Sequence, residues 1–163
     1  MTDGTIYREA LSSKRTVLLF TALSAIFVLL AVWRVGSAGF DVFAGLATFF
    51  ATFFLFYVIN YRRLEISIDE GTVRLKFGVM TWTERLENIE VCEVDVLPWL
   101  WRNGGAGVHL MMVEGRYRVS FNFLEHERVV LRLKRKRGPV RDVSFSTGAA
   151  EKVVGVVEGN LRG

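Results

Sequence analysis

The sequence predicts a membrane α-hairpin of two transmembrane helices, followed by a mainly β domain that ends in one helix. Three observations predict this. Residues 42–59 are eighteen positions without a charge, in a chain where 23% are charged. From Leu64 onward apolar and polar residues alternate with a period of two, as half-buried strands require. After Phe145 the period changes, and Ala150, Val153, Val154, Val157 and Leu161 share one side of a helix. Residues 1–63 then form an N-terminal segment and the hairpin, with spans at about 16–34 and 41–60. Residues 64–163 form the β domain.

Charge follows the same division. Of the 21 Lys+Arg and 17 Asp+Glu, fifteen and fourteen lie in residues 64–163, which are therefore nearly neutral. The net charge of +4 belongs mostly to the flanks of the apolar segments, where Arg8, Lys14, Arg15, Arg34, Arg62 and Arg63 face Asp3, Glu9 and Asp41. A nearly neutral domain lacks the cationic excess that displaces counterions from nucleic acid. No nucleic-acid partner is expected, despite a pI of 9.5. Cys92 is the only cysteine, which excludes an intrachain disulfide and a thiolate zinc cluster and fits a reducing compartment.

Residues 1–15 pair Ile6 with Ala10 and Tyr7 with Leu11 at helical spacing. Two readings stay open, a weak interfacial helix and a frayed start to the first span. Residues 16–33 give a helix of about 27 Å, close to the roughly 30 Å of a bilayer core. Gly36-Ser37-Ala38 would suit a signal peptidase, but the run is long for a signal and a second span follows, so the helix is read as retained. Residues 34–41 are the turn. Trp33 and Phe40 suit one membrane interface, Tyr57 and Tyr61 the other. Cations gather before the first span and after the second. The positive-inside rule therefore puts both termini in the cytoplasm, in a multi-pass protein of the cell membrane. On the second span Ala44, Ala47, Thr48, Ala51 and Thr52 form a small face, expected to pack on Thr21, Ala22 and Ala25. The phenylalanines on its other side are expected to meet lipid. No Asp, Glu, Lys or His lies within residues 16–33 or 42–59, so no proton or ion relay is expected there.

In the β domain, Leu64, Ile66 and Ile68 alternate with polar residues, turn at Asp69-Glu70-Gly71, and resume at Val73, Leu75 and Phe77. A strand at 80–86 follows. Ile89 and Val91 then share one parity while Val94 and Val96 share the other, a slip near Cys92 that suggests a bulge or a break. Residues 108–113 and 116–123 form a hairpin around Glu114-Gly115. Residues 129–134 and 140–145 form the last one around Gly138-Pro139. Ser146 or Thr147 caps the final helix, Glu151 sits in its first turn, and Gly155 and Gly159 leave it dependent on packing.

This arrangement resembles the prokaryotic membrane proteins that carry a pleckstrin-homology-like domain, a family of unknown function. The likeness rests on residues 64–68 leaving the membrane, Gly78, and Leu86-Glu87-Asn88-Ile89. It extends to Gly104-Gly105-Ala106-Gly107-Val108-His109, and to residues 129–133 followed by 140–147 and a helix. The resemblance implies a partly open barrel, or a sandwich of two sheets, of seven or eight antiparallel strands with a C-terminal helix plugging one end. Phosphoinositide-binding members of the wider superfamily use basic residues between the first two strands. Here Asp69-Glu70-Gly71 is short and acidic, and the shared fold licenses no ligand.

No catalytic, cofactor-binding or metal-ligating set stands out, and the chain is not expected to be an enzyme. His109 and His126 fall in different hairpins. Glu125-His126-Glu127-Arg128 reads as turn material, since successive turn residues rarely converge on a metal. Cys92 reads as a small buried side chain. Two features are candidates for membrane-surface or partner contact. The run Arg132, Lys134, Arg135, Lys136, Arg137 is either an exposed soluble hairpin tip or a patch drawn to anionic headgroups. Leu97-Pro98-Trp99-Leu100-Trp101-Arg102 either plugs the barrel with Trp99 or Trp101, or docks them on the bilayer with Arg102 reaching phosphates. The expected function is a membrane-anchored interaction or scaffold module, partnered by the lipid bilayer and by another protein or a second copy. The alternative is an accessory subunit of a membrane enzyme or transporter.

Overall fold

Ser13 and Asp41 start two long helices, α1 (Lys14–Ala38) and α2 (Val42–Asn60). The Ser13 hydroxyl accepts the Thr16 N–H at 3.0 Å, and Asp41 Oδ1 accepts that of Ala44 at 2.9 Å, each an N-cap. The computed structural model describes residues 4–96, 107–123 and 125–161. At 1.5 Å per residue, the 25 residues of α1 span about 38 Å and the 19 of α2 about 28 Å. Only 11% and 17% of their most apolar stretches are buried inside the protein, so neither is the core helix of a soluble body. Both are long and apolar enough to cross a membrane.

The two helices meet along Ala44, Ala47 and Ala51, which are buried, while Thr48 and Thr52 turn their hydroxyls back to their own helix's carbonyls at 2.9 Å. On α1 the buried Ser24 meets this face, its hydroxyl donating to the Ala51 carbonyl at 3.0 Å. Thr21, Ala22 and Ala25, expected at this seam, are exposed instead. The aromatic face is also divided. Phe27 lies 5.2 Å from Phe50 and 5.7 Å from Phe54, and Phe20 lies 5.1 Å from Tyr57, so part of it joins the helices. Phe43, Phe49, Phe53 and Phe56 remain on the outside. At the turn, Arg34 holds Asp41 through Nη2 at 2.6 Å and Nε at 2.9 Å.

Residues before the first helix overturn both readings made for them. Thr5–Leu11 is neither an interfacial helix nor a frayed start, but a strand, β1. It pairs antiparallel with β2 (Leu64–Asp69), Leu11 directly opposite Leu64. The first sheet runs β1-β2-β3-β4, with β3 (Thr72–Phe77) and β4 (Met80–Arg85). The helical hairpin is thus inserted between two neighbouring strands of one sheet. Thr5–Leu11 lies on the sheet side of the division expected near residue 63.

A 3-10 turn, Leu86–Asn88, leads to the second sheet, ordered β5-β8-β9-β7-β6. Its members are β5 (Ile89–Val94), β6 (Gly107–Val113), β7 (Arg116–Asn122), β8 (Glu127–Arg137) and β9 (Val140–Thr147). The register slips between Ile89 and Val91, so the expected bulge falls at Glu90, two residues before Cys92, and carries both Ile89 and Cys92 into the core. The nine described strands exceed the seven or eight expected, β1 being the addition. They are not all antiparallel, because β7 and β9 run parallel. No ladder joins the two sheets among the described residues, so no closed barrel forms.

The core lies between the sheets. Leu64, Ile66, Ile68, Val73, Leu75 and Phe77 face Phe121, Val129, Leu131, Val143 and Phe145 in one cluster. The C-terminal helix α3 (Ala150–Leu161) lies on β5 and β8, with Ala150, Val153 and Val157 in that core. Thr147 prepares its start by accepting the Ala149 N–H at 3.2 Å.

Candidate functional site

The junction between hairpin and β domain is held by interlocking contacts rather than by a linker. Gly78 (φ +60°) sits where a Cβ would come within 1.9 Å of the Asn60 carbonyl oxygen, so only glycine lets the β3–β4 turn press on the end of α2. Tyr61, just past α2, stacks edge-on to Phe77 at 5.1 Å, which meets Phe123 of the other sheet at 4.9 Å. Glu125 accepts the Ser13 hydroxyl and, at 3.1 Å, the Arg15 N–H at the start of α1. Those bonds, the Ser13 one foremost, hold its carboxyl below the usual range. Glu9 on β1 accepts Thr147 Oγ1 at 2.5 Å, Tyr7 Oη at 2.8 Å and the Gly148 N–H at 2.9 Å. Burial, reinforced by the Glu9 bond, pushes the Tyr7 hydroxyl up to about 12.

Of the residues singled out in the sequence, Trp99, Trp101 and Arg102 lie outside the described residues. The basic run lies on β8, beside the 3-10 turn. Arg132 pairs with Glu93 at 2.6 Å. Beyond it β8 loses register with β9 until Arg137. Asn88, just before β5, accepts the Arg135 N–H at 2.9 Å and donates to the Arg135 carbonyl at 3.1 Å, as a strand would. Lys134 donates to the Glu87 carbonyl at 2.9 Å. Arg137 donates to the Thr83 carbonyl at 2.9 Å and lies 4.8 Å over the Trp82 ring. Lys134, Arg135, Lys136 and Arg137, with residues 83–85, 87 and 88, line a groove of about 650 Å³. The structure therefore gathers Lys134, Arg135, Lys136 and Arg137 but spends two of them, Lys134 and Arg137, partly on internal bonds. Leu86 donates its N–H to the Gly71 carbonyl at 2.9 Å, so this turn sits at the end of the first sheet remote from the helices. The five steps from Leu64 to Asp69 are about 17 Å of strand. That exceeds a physiological Debye length of about 8 Å, so Lys134 and Arg135 are electrostatically screened from the end of the helical hairpin.

Sequence reasoning missed a buried polar face on the second sheet, opposite the apolar one. Arg118 reaches both Asp95 oxygens at 3.1 Å and approaches Asp142 at 3.9 Å, and Arg116 meets Asp142 at 3.0 Å. The side chains of Arg118, Asp95 and Asp142 are 7%, 5% and 3% exposed, so this is an interior ion network. Ser120 and Ser144 share a hydrogen bond of 2.8 Å. Among the described residues no partner meets the geometry of a hydrogen bond to either ring nitrogen of His109, which lies opposite Ser120; burial lowers its pKa, Arg128 adds to that, and the Gly107 backbone opposes it. Asn122 is fully buried, with neither amide atom bonded among the described residues. Cys92 is buried, and its thiol is pushed up to about 12 by desolvation first, then by Glu158 and Glu93. Among the described residues no three His, Cys, Asp or Glu side chains are arranged to hold a metal ion.

A second missed surface is the outer face of the first sheet. Arg8, Ser67, Arg74 and Thr83 lie opposite one another across its four strands, with Lys76 between Glu65 and Thr81 in the next row. Among the described residues no hydrogen bond or ion pair engages the side chains of Arg8, Arg62, Arg74 or Lys76. The signal was present, since these cations alternate with buried Val73, Leu75 and Phe77. It could be joined into one surface only once β1 was known to be a strand. Comparison of the chain with protein-family models, with curated proteins and with solved structures finds no match.

Proposed function

We propose that this chain is a membrane-anchored interaction module. Two spans hold a pleckstrin-homology-like domain rigidly on the cytoplasmic face of the cell membrane, both termini inside, and its remote end meets a protein partner. The observation that carries this reading is the insertion of the hairpin within the first sheet. A helix pair that continues directly into paired strands, with Gly78 seated on Asn60, fixes the height and tilt of the domain. The orientation draws support from the Arg34–Asp41 pair, which neutralises the one cation at the turn, while Lys14, Arg15, Arg62 and Arg63 gather at the other end. The partner surface we favour is the groove of Lys134, Arg135, Lys136 and Arg137 with Arg85, Glu84 and Glu87. Its mixed charges suit specific docking more than bulk attraction to lipid.

A photo-crosslinking residue at Lys136 in the full chain, in cells, tests the reading, with Glu151 on α3 as the control position. A discrete protein adduct at 136, absent at 151 and lost with Arg85→Glu, is expected. Adducts of equal intensity at both positions, or none at 136, would reject the surface. An adduct formed only with a membrane enzyme or transporter would favour the accessory-subunit reading. Cysteine placed at Ser37, in a Cys92→Ser background, should be labelled from outside intact cells, and at Gly163 should not.

A further inference from the structure

Where α2 ends against the first sheet, the chain forms a notch of about 250 Å³ lined by Ile59, Asn60, Arg62, Arg63, Glu65, Lys76 and Gly78. Three cations face one carboxylate there. Arg63 gives part of its charge to Glu65 at 3.2 Å, whereas Arg62 and Lys76 carry no ion pair or hydrogen bond among the described residues. The end of α2 contributes about half a negative charge. That does not outweigh the net excess of two cations, and Asn60 offsets it further by donating its side-chain amide to the Phe56 carbonyl at 2.9 Å. The notch is a fixed feature, because Gly78 locks the β3–β4 turn onto Asn60.

Its depth matters as much as its charge. The roughly 28 Å of α2 match a hydrocarbon core of about 30 Å, so Arg62 and Arg63 fall in the headgroup layer just beyond it. Apolar side chains are exposed at the same level: Ile59 at 58%, and Val79 and Met80 on the turn at 66% and 45%. Cations facing a notch above, with unpaired apolar residues beside it, match the two halves of a phospholipid. We propose that this notch seats the phosphate of an anionic lipid headgroup, held by Arg62 and Lys76 with Arg63 beside them, while Ile59 and Val79 contact its acyl chains. The proposal rests on the membrane-module reading given above. It makes the headgroup contact a property of the junction, not of the remote basic tip.

The test uses the full chain in detergent with added phosphatidylglycerol or phosphatidylcholine, retained lipid being counted by native mass spectrometry. Phosphatidylglycerol should be retained preferentially. Arg62→Gln with Lys76→Gln should weaken its retention roughly thirtyfold, at about one cation's worth of attraction each, without lowering the melting temperature. Lys136→Gln with Arg141→Gln removes the same charge at the remote tip and should leave retention unchanged. Equal loss in both double variants, or no preference for the anionic lipid, overturns the site. Displacement of the lipid by millimolar inorganic phosphate would reassign the notch to a soluble anion and overturn the lipid assignment. Flotation of the parent chain with membranes is measured alongside. A chain that floats but binds no lipid here sinks this proposal alone, whereas a chain that fails to float sinks the membrane reading beneath it.

Discussion

Because Leu11 and Leu64 are directly opposite each other in one ladder, the hairpin can be removed without breaking the sheet. Replacing residues 12–63 by Asn-Gly joins β1 to β2 through a two-residue turn, which suits antiparallel neighbours. The spliced chain should be soluble, with mainly β circular dichroism. A chain that simply begins at Leu64 is the informative comparison, since both lack the helices and Tyr61 and differ only in β1. Tyr7 and Leu11 are each 8% exposed in the intact protein. Burying each contributes on the order of 2 kcal/mol as an upper estimate. Glu9 adds three hydrogen bonds, two of them to Thr147 and Gly148 at the start of α3. The truncated chain should therefore be less stable by about 4–6 kcal/mol, a large share of the roughly 5–15 kcal/mol that a domain possesses. In thermal denaturation it should melt about 15 °C or more below the spliced chain, or fail to fold. Equal melting temperatures, or a helical spectrum from the spliced chain, would refute the assignment of β1 to the sheet.

The same soluble spliced chain carries three further tests. Arg118→Met leaves Asp95 and Asp142 buried without their shared cation, and should cost about 3–5 kcal/mol in urea titration; adding Asp95→Asn and Asp142→Asn should restore most of that loss. Asn88→Ala removes both bonds to the Arg135 backbone and the bond to Glu84 at 2.9 Å, for about 1–3 kcal/mol, and hydrogen exchange should show the Arg135 amide unprotected. Tyr7 and Cys92 both have folded pKa values raised to about 12, from ordinary values of 10 and 9. The unfolded chain therefore releases these protons first. Their contribution to stability should be constant below about pH 9 and fall from there towards pH 12, and Cys92→Ala with Tyr7→Phe should flatten that fall. An alkaline limb unchanged in the double variant would assign the loss to other groups.

The two apolar helices, the alternating strands and the C-terminal helix were legible in the sequence because each depends on a local period. Val73, Leu75 and Phe77 needed no partner to declare a strand, and the slip near Cys92 showed as a change of parity. Residues 5–11 were misread because a spacing of four suits both periods: Tyr7 and Leu11 share a face at 3.6 residues per turn and also at two. Only pairing with β2 decided between them, and that partner lies some fifty residues away, across the hairpin. The seam at Ser24 likewise depended on which side of α1 met α2, which composition alone leaves open. The parallel pairing of β7 with β9, the Asp95–Arg118–Asp142 network and the notch at Arg62 and Lys76 are all made by residues distant in the chain. Local sequence determines which way a side chain points from its own strand; the tertiary structure decides what it meets there, because that depends on strand order and on the close approach that Gly78 permits.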